Sequence, residues 1–221
     1  MFTSSVEKWR ALVAEQADGI PVDFVLAWIK HESGGNHCSL GIPGVEAGIF
    51  QTYHPDDDRF GASFAQLRPG CDGSRATRAL TDDEKRLQVR VGLNLIRNCR
   101  DKARGALKSA GADWTEGAMD FWCVVKLRHA LPAFLSLLSA YTRAMGEPPP
   151  GWRVWKEWVM KLSPAEVVAI NSAMRPWSSP EQRARLLRNA EESGKYGGAE
   201  KLDVRTMVLL LAMAAALYLV A

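Results

Sequence analysis

Apolar residues recur at helical spacing along most of this chain. Val6, Trp9, Val13 and Ala17 share one face, which predicts a helix over residues 6–17. Pro21 suits a first helical turn, and Phe24, Val25, Trp28 and Ile29 carry the pattern to Glu32, where Gly34-Gly35 stops it. Residues 36–73 lose the period and are rich in Gly, Pro and Asp, so they read as loop with room for a small hairpin. Thr81 with Glu84 three residues on is a capping box, opening a long helix to about residue 110 with Leu87, Val91, Leu95 and Ile96 inward. Two further helices are predicted over 114–127 and 133–145.

A Gly-Glu-Pro-Pro-Pro-Gly run at 146–151 is the clearest break, because three prolines cannot continue a helix. Helical segments resume at Trp152, behind Ser163-Pro164 and behind Ser179-Pro180-Glu181. Trp152, Trp155 and Trp158 stand at helical spacing and read as core. Residues 193–198 read as a flexible joint. Beyond them, Met207 to Ala221 is fifteen residues without a charge. A helix over 204–221 would be about 27 Å long against a hydrocarbon core of roughly 30 Å, and we read it as a membrane-inserting tail. Three units are expected: a catalytic domain over 1–146, a helical accessory region and linker over 147–200, and the apolar tail over 201–221.

Composition sharpens the class. The chain has 221 residues, 47% hydrophobic and 24% charged, enough for a packed core, and a net charge of +3 gives no nucleic-acid footprint. The first nineteen residues carry Glu7, Lys8, Arg10, Glu15 and Asp18, unlike a secretion signal. Cys38, Cys71, Cys99 and Cys123 form no C-x-x-C pair. They read as four buried thiols, or as disulfides in an oxidising compartment. No metal or cofactor is expected: His31-Glu32 lacks the second histidine of a zincin at position 35, and His37 with Cys38 and Cys71 reads as loop chemistry. Asp56-Asp57-Asp58 reads as a solvated turn.

The chemistry-bearing signal is Glu32-Ser33-Gly34-Gly35-Asn36 at a helix end, then Ala47-Gly48-Ile49-Phe50-Gln51 after one loop. A carboxyl at a helix C-terminus beside Trp28 and Ile29 is expected to have a raised pKa, from the dipole and from desolvation, as an acid for glycosidic cleavage requires. Glycines let a sugar chain approach the backbone, and the Asn36 and Gln51 amides suit hydroxyl and N-acetyl groups.

These two motifs resemble those of the soluble lytic transglycosylases, relatives of goose-type lysozyme. The likeness covers about residues 21–132, and to 145 at most. It implies a mainly α, lysozyme-like helical domain with a C-terminal helical extension and an apolar terminal helix. It also implies cleavage of the MurNAc-GlcNAc bond of peptidoglycan with formation of a 1,6-anhydro ring. Glu32 would be the single catalytic acid/base, Ser33 its support, and Gly48, Ile49 and Gln51 the subsite floor with Asn36. Ile49-Phe50 replaces Leu-Met in the family's pattern. The Ala-Tyr-Asn motif is missing; Phe121 to Pro132 stands at its distance, where Arg128 or His129 is expected to take its part. The absence of a leader together with the tail suggests delivery by a phage particle, with virion proteins and a membrane as partners and action in the periplasm. Two alternatives stand beside this: a hydrolytic muramidase using Glu46 or Asp56, and a non-catalytic virion component on a degenerate lysozyme fold.

Overall fold

The computed structural model describes residues 1–42, 45–53 and 61–198. The Asp56-Asp57-Asp58 turn and the apolar tail at 204–221 lie outside the described residues. Among those described, no helix is long and apolar enough to cross a membrane.

The architecture is mainly helical. The first predicted helix is two, α1 (Ser4–Glu7) and α2 (Arg10–Gln16), broken at Lys8-Trp9. The break sets the Trp9 indole to donate to the Gly35 carbonyl at 3.1 Å, tying the N-terminus to the turn after α3 (Val22–Ser33). That helix ends on Gly34, whose φ of 62° is the left-handed cap that glycine supplies without a Cβ clash. Two short antiparallel ribbons fill the loop region: β1 (Glu46–Ala47) on β2 (Thr52–Tyr53), and β3 (Cys71–Asp72) on β4 (Arg75–Ala76).

α4 (Asp82–Ser109) opens with the predicted capping box of Thr81 and Glu84. It is followed by α5 (Met119–Ala130) and α6 (Phe134–Met145). α5 begins five residues later than its apolar pattern suggests, because residues 115–118 make a turn closed by the Ala118 N–H donating to Thr115 O at 3.0 Å.

The C-terminal extension comprises α7 (Trp152–Lys161), α8 (Pro164–Ile170), a 3-10 helix (Ser172–Ser178) and α9 (Pro180–Gly194). It packs on the same core. Trp152 and Trp155 are fully buried, and the Trp114 indole donates to Pro149 O at 3.0 Å. The Asp120 carboxylate accepts from the Trp152 N–H at 3.0 Å, capping the start of α7 from α5. Against expectation, the part of 193–198 nearest α9 is a close-packed contact and not a loose joint. Ser193 is fully buried, and a Cβ on Gly194 would fall 2.9 Å from the Cys123 backbone N. A Cβ on Gly197 would collide with the Trp122 ring in the same way. These glycines serve close approach of α9 and its end to α5.

Candidate functional site

The two motifs meet through one hydroxyl. Ser33 Oγ donates to the Ile49 carbonyl at 2.7 Å and accepts from the Gly35 N–H at 3.1 Å. Gly48, at φ 76°, turns the chain so that the Ile49 N–H donates to Gln88 Oε1 at 3.1 Å. Gln88 is buried on α4 and donates in turn to Leu67 O at 2.8 Å, so it clamps this loop from below. A Cβ on Gly48 would come within 2.6 Å of Gln88 Oε1, which is why the position needs glycine. The Ile49 side chain is fully buried, and the Phe50 ring lies against Gly92 of α4. The loop therefore offers backbone and Gln51, not the Ile49 side chain.

Gln51 is buried and sits at φ 48°, an uncommon left-handed conformation for a residue with a side chain. Its Nε2 donates to Gly48 O at 2.8 Å and Ser39 O at 3.1 Å, while Oε1 is buried without a partner among the described residues. Asn36 is exposed, and both ends of its amide are used locally: Nδ2 donates to Ser74 O at 3.1 Å and Oδ1 accepts from the Cys38 N–H at 3.0 Å. Cys38 and Cys71 form a disulfide that anchors this loop, so the nearby His37, Cys38 and Cys71 cluster has its sulfurs committed to each other. Cys99 and Cys123 are buried free thiols, and burial pushes the Cys99 thiol up to about 11.

Glu32 has a partner that the sequence reading did not name. The Lys126 ammonium, from the middle of α5, makes an ion pair with Glu32 Oε1 and lies 4.2 Å from the Trp28 ring centroid. The Lys126 side chain is only 6% exposed and that of Glu32 20%, so the pair is shielded from water. Burial by itself would raise the Glu32 carboxyl, as expected from sequence. The charge of Lys126, then that of His129, its hydrogen bond to Lys126 and the charge of His31 outweigh this, and the carboxyl is held below its ordinary value. The expected upward shift is thus reversed, because an opposite charge in direct contact exceeds the desolvation of one carboxylate.

His129 belongs to this group: its ring lies 5.6 Å from Trp28, and burial, opposed by Glu32 and helped by Lys126, lowers its pKa. Arg128 is spent elsewhere, donating to Leu131 O at 2.8 Å and to Pro132 O, where it satisfies carbonyls just past α5. On the α9 side of α3, His31 Nε2 pairs with Glu192 Oε2 at 3.0 Å. The structure thus gathers Glu32, Lys126, Trp28 and His129 into one cluster, and Ser33, Gly48, Ile49 and Gln51 into an adjoining one joined through Ser33. Of the rival bases, Glu46 accepts from the Ile42 N–H at 2.9 Å, and Asp56 lies outside the described residues.

No family model, no curated protein and no solved structure matches this chain.

Proposed function

We propose that this chain is a peptidoglycan lytic transglycosylase of lysozyme-like type, with Glu32 as acid/base. The observation that carries the reading is the Ser33 bond to the Ile49 carbonyl, which sets the carboxylate motif against the glycine-turn motif. Support comes also from the buried Gln51 Oε1, which has no partner among the described residues and is an acceptor suited to a sugar amide or hydroxyl.

In the resting protein Glu32 is ionised against Lys126, so it stands ready as a base. To act as an acid it must first take up a proton. Uptake of that proton is helped as bound sugar displaces water from the carboxyl, since burial favours its neutral form. Glu32 then protonates the bridging oxygen as that C–O bond breaks. The resulting carboxylate removes the proton of the C6 hydroxyl as its oxygen closes on C1, and no water is consumed. Lys126, by its contact with Glu32, takes the part expected of Arg128 or His129.

The test is mass spectrometry of cell-wall digests. Anhydro-muropeptides, lighter by one water than hydrolysis products, are expected from the wild type, and Glu32→Gln should cut the rate by roughly 10²-fold or more. Hydrated products would move the assignment to a muramidase. A second reading, a non-catalytic virion component, is favoured by the same ion pair, since Lys126 neutralises the carboxylate in the resting state. A zymogram with no clearing would select it. Delivery by a phage particle, opening the wall locally for the genome, remains part of the proposal through the tail. Truncation after Gly198 is expected to abolish detergent or membrane association and leave the melting temperature unchanged.

A further inference from the structure

A cavity of about 750 Å³ lies against Gly35 and Asn36, the last two residues of the Glu32 motif, yet Glu32 is not in its wall. Lys8, Trp9 and Leu12 line it, as do Leu80, just before α4, and Lys85 and Arg86 near the start of that helix. Its charge is lopsided: Lys8, Arg78, Lys85 and Arg86 face it against the single carboxylate of Asp82. Two of the cations are already engaged, Arg78 by Glu84 at 2.5 Å and Arg86 by Glu15. Among the described residues Lys85 pairs only with Asp82, at 2.8 Å, whose side chain is 85% exposed, so that pair is weak.

Lys8 pairs with no carboxylate among the described residues; its ammonium stands 5.4 Å from the Trp9 ring. Partial burial, and then the repulsion of Lys85, hold its pKa below the ordinary value. Two ammonium groups therefore line one concave space whose single carboxylate is the exposed Asp82, paired to Lys85, beside an apolar wall of Leu12 and Leu80.

We propose that this cavity binds a carboxylate-bearing peptide, its carboxylate between Lys8 and Lys85 and an aliphatic group against Leu12 and Leu80. Taken with the proposed function, which this identification of the ligand rests on, the peptide is the stem that wall glycans carry. The binding itself needs nothing from Glu32.

Isothermal titration calorimetry of the full chain tests it with three probes: the stem tripeptide with free carboxylates, the same peptide fully amidated, and inorganic phosphate. The acid form should bind about tenfold or more tightly than the amidated form, the effect of one charge-assisted contact. Lys8→Gln/Lys85→Gln should remove that difference; both residues are surface side chains, and an unchanged melting temperature confirms that the variant is folded. Equal affinity for the two peptides, binding unaffected by the double substitution, no peptide binding, or phosphate binding as tightly as the peptide would each overturn the site. Wall digestion is measured in parallel. Peptide binding without glycan cleavage supports the site and removes the enzymatic reading; cleavage with no peptide binding does the reverse.

Discussion

Replacing Lys126 with Met isolates what the ion pair does. Methionine keeps the length and apolar stem of lysine and removes its charge. The loss leaves the Glu32 carboxylate, only 20% exposed, beside Trp28 with no cation in contact. Removing one partner of a buried pair costs about 3–5 kcal/mol, because the remaining charge is left uncompensated. At about 2–4 °C per kcal/mol for a chain of this size, the melting temperature at pH 7 should fall on the order of 6–20 °C. Lys126→Met/Glu32→Gln should recover most of that loss, since neither charge is then buried alone.

The pH dependence has a definite sign. In the wild type the folded Glu32 carboxyl lies below its ordinary 4.5, so its contribution is present above that value and lost as pH falls through the folded pKa. In Lys126→Met, burial acts without the lysine and raises the folded value above the unfolded one. The penalty then operates at pH 7 and fades as pH falls toward about 4. The gap between wild type and variant should therefore narrow on acidification. Differential scanning calorimetry at pH 7 and pH 4 reads this directly. An unchanged melting temperature at pH 7, or a gap that widens toward pH 4, would refute the buried-pair reasoning.

Three other variants probe the frame around the site. Breaking the disulfide with Cys38→Ser/Cys71→Ser opens a loop of sequence separation 33 and should cost roughly 3–4 kcal/mol by chain entropy, seen in chemical denaturation. Gly48→Ala puts a Cβ at φ 76° and 2.6 Å from Gln88 Oε1, so a loss of about 1–3 kcal/mol is expected. Gly194→Ala should cost a similar ~1–3 kcal/mol by forcing α9 off Cys123, measured as a lower denaturation midpoint with cleavage retained.

Most of the helical frame was legible because its punctuation is chemical. Thr81 with Glu84 and Ser163 with Glu166 form capping boxes where the residue types place them, and Pro164 and Pro180 open helices as their fixed φ allows. The misread segments share a cause. Ser193, Gly194 and Gly197 look like a linker by composition, since small residues serve looseness and close packing equally well; the Cys123 and Trp122 side chains decide between the two. The break at Lys8-Trp9 likewise depends on Gly35, 26 residues away, accepting the Trp9 indole N–H. Local periodicity carries no information about such a partner.

The candidate site divides along the same line. Glu32, Ser33, Gly48 and Gln51 were singled out because they fall in two short motifs that neighbouring residues make readable. Lys126 was missed because its partner lies 94 residues away and because α5 is buried on nearly every side, leaving no polar face from which a charged residue could stand out. A signal was nevertheless present. Phe121 to Leu127 is an apolar run interrupted by one lysine, and a lysine that cannot reach water from the middle of a buried helix requires a carboxylate. Within the likeness to the transglycosylases, that requirement falls on the segment where the Ala-Tyr-Asn motif is missing. A tyrosine hydroxyl and a lysine ammonium can both hold a carboxylate by hydrogen bond, but only the ammonium also ionises it at rest. On the proposed reading Glu32 must take up a proton against Lys126 before it cleaves, so cleavage in a cell-wall digest should respond more to Lys126→Met than to any change at Arg128.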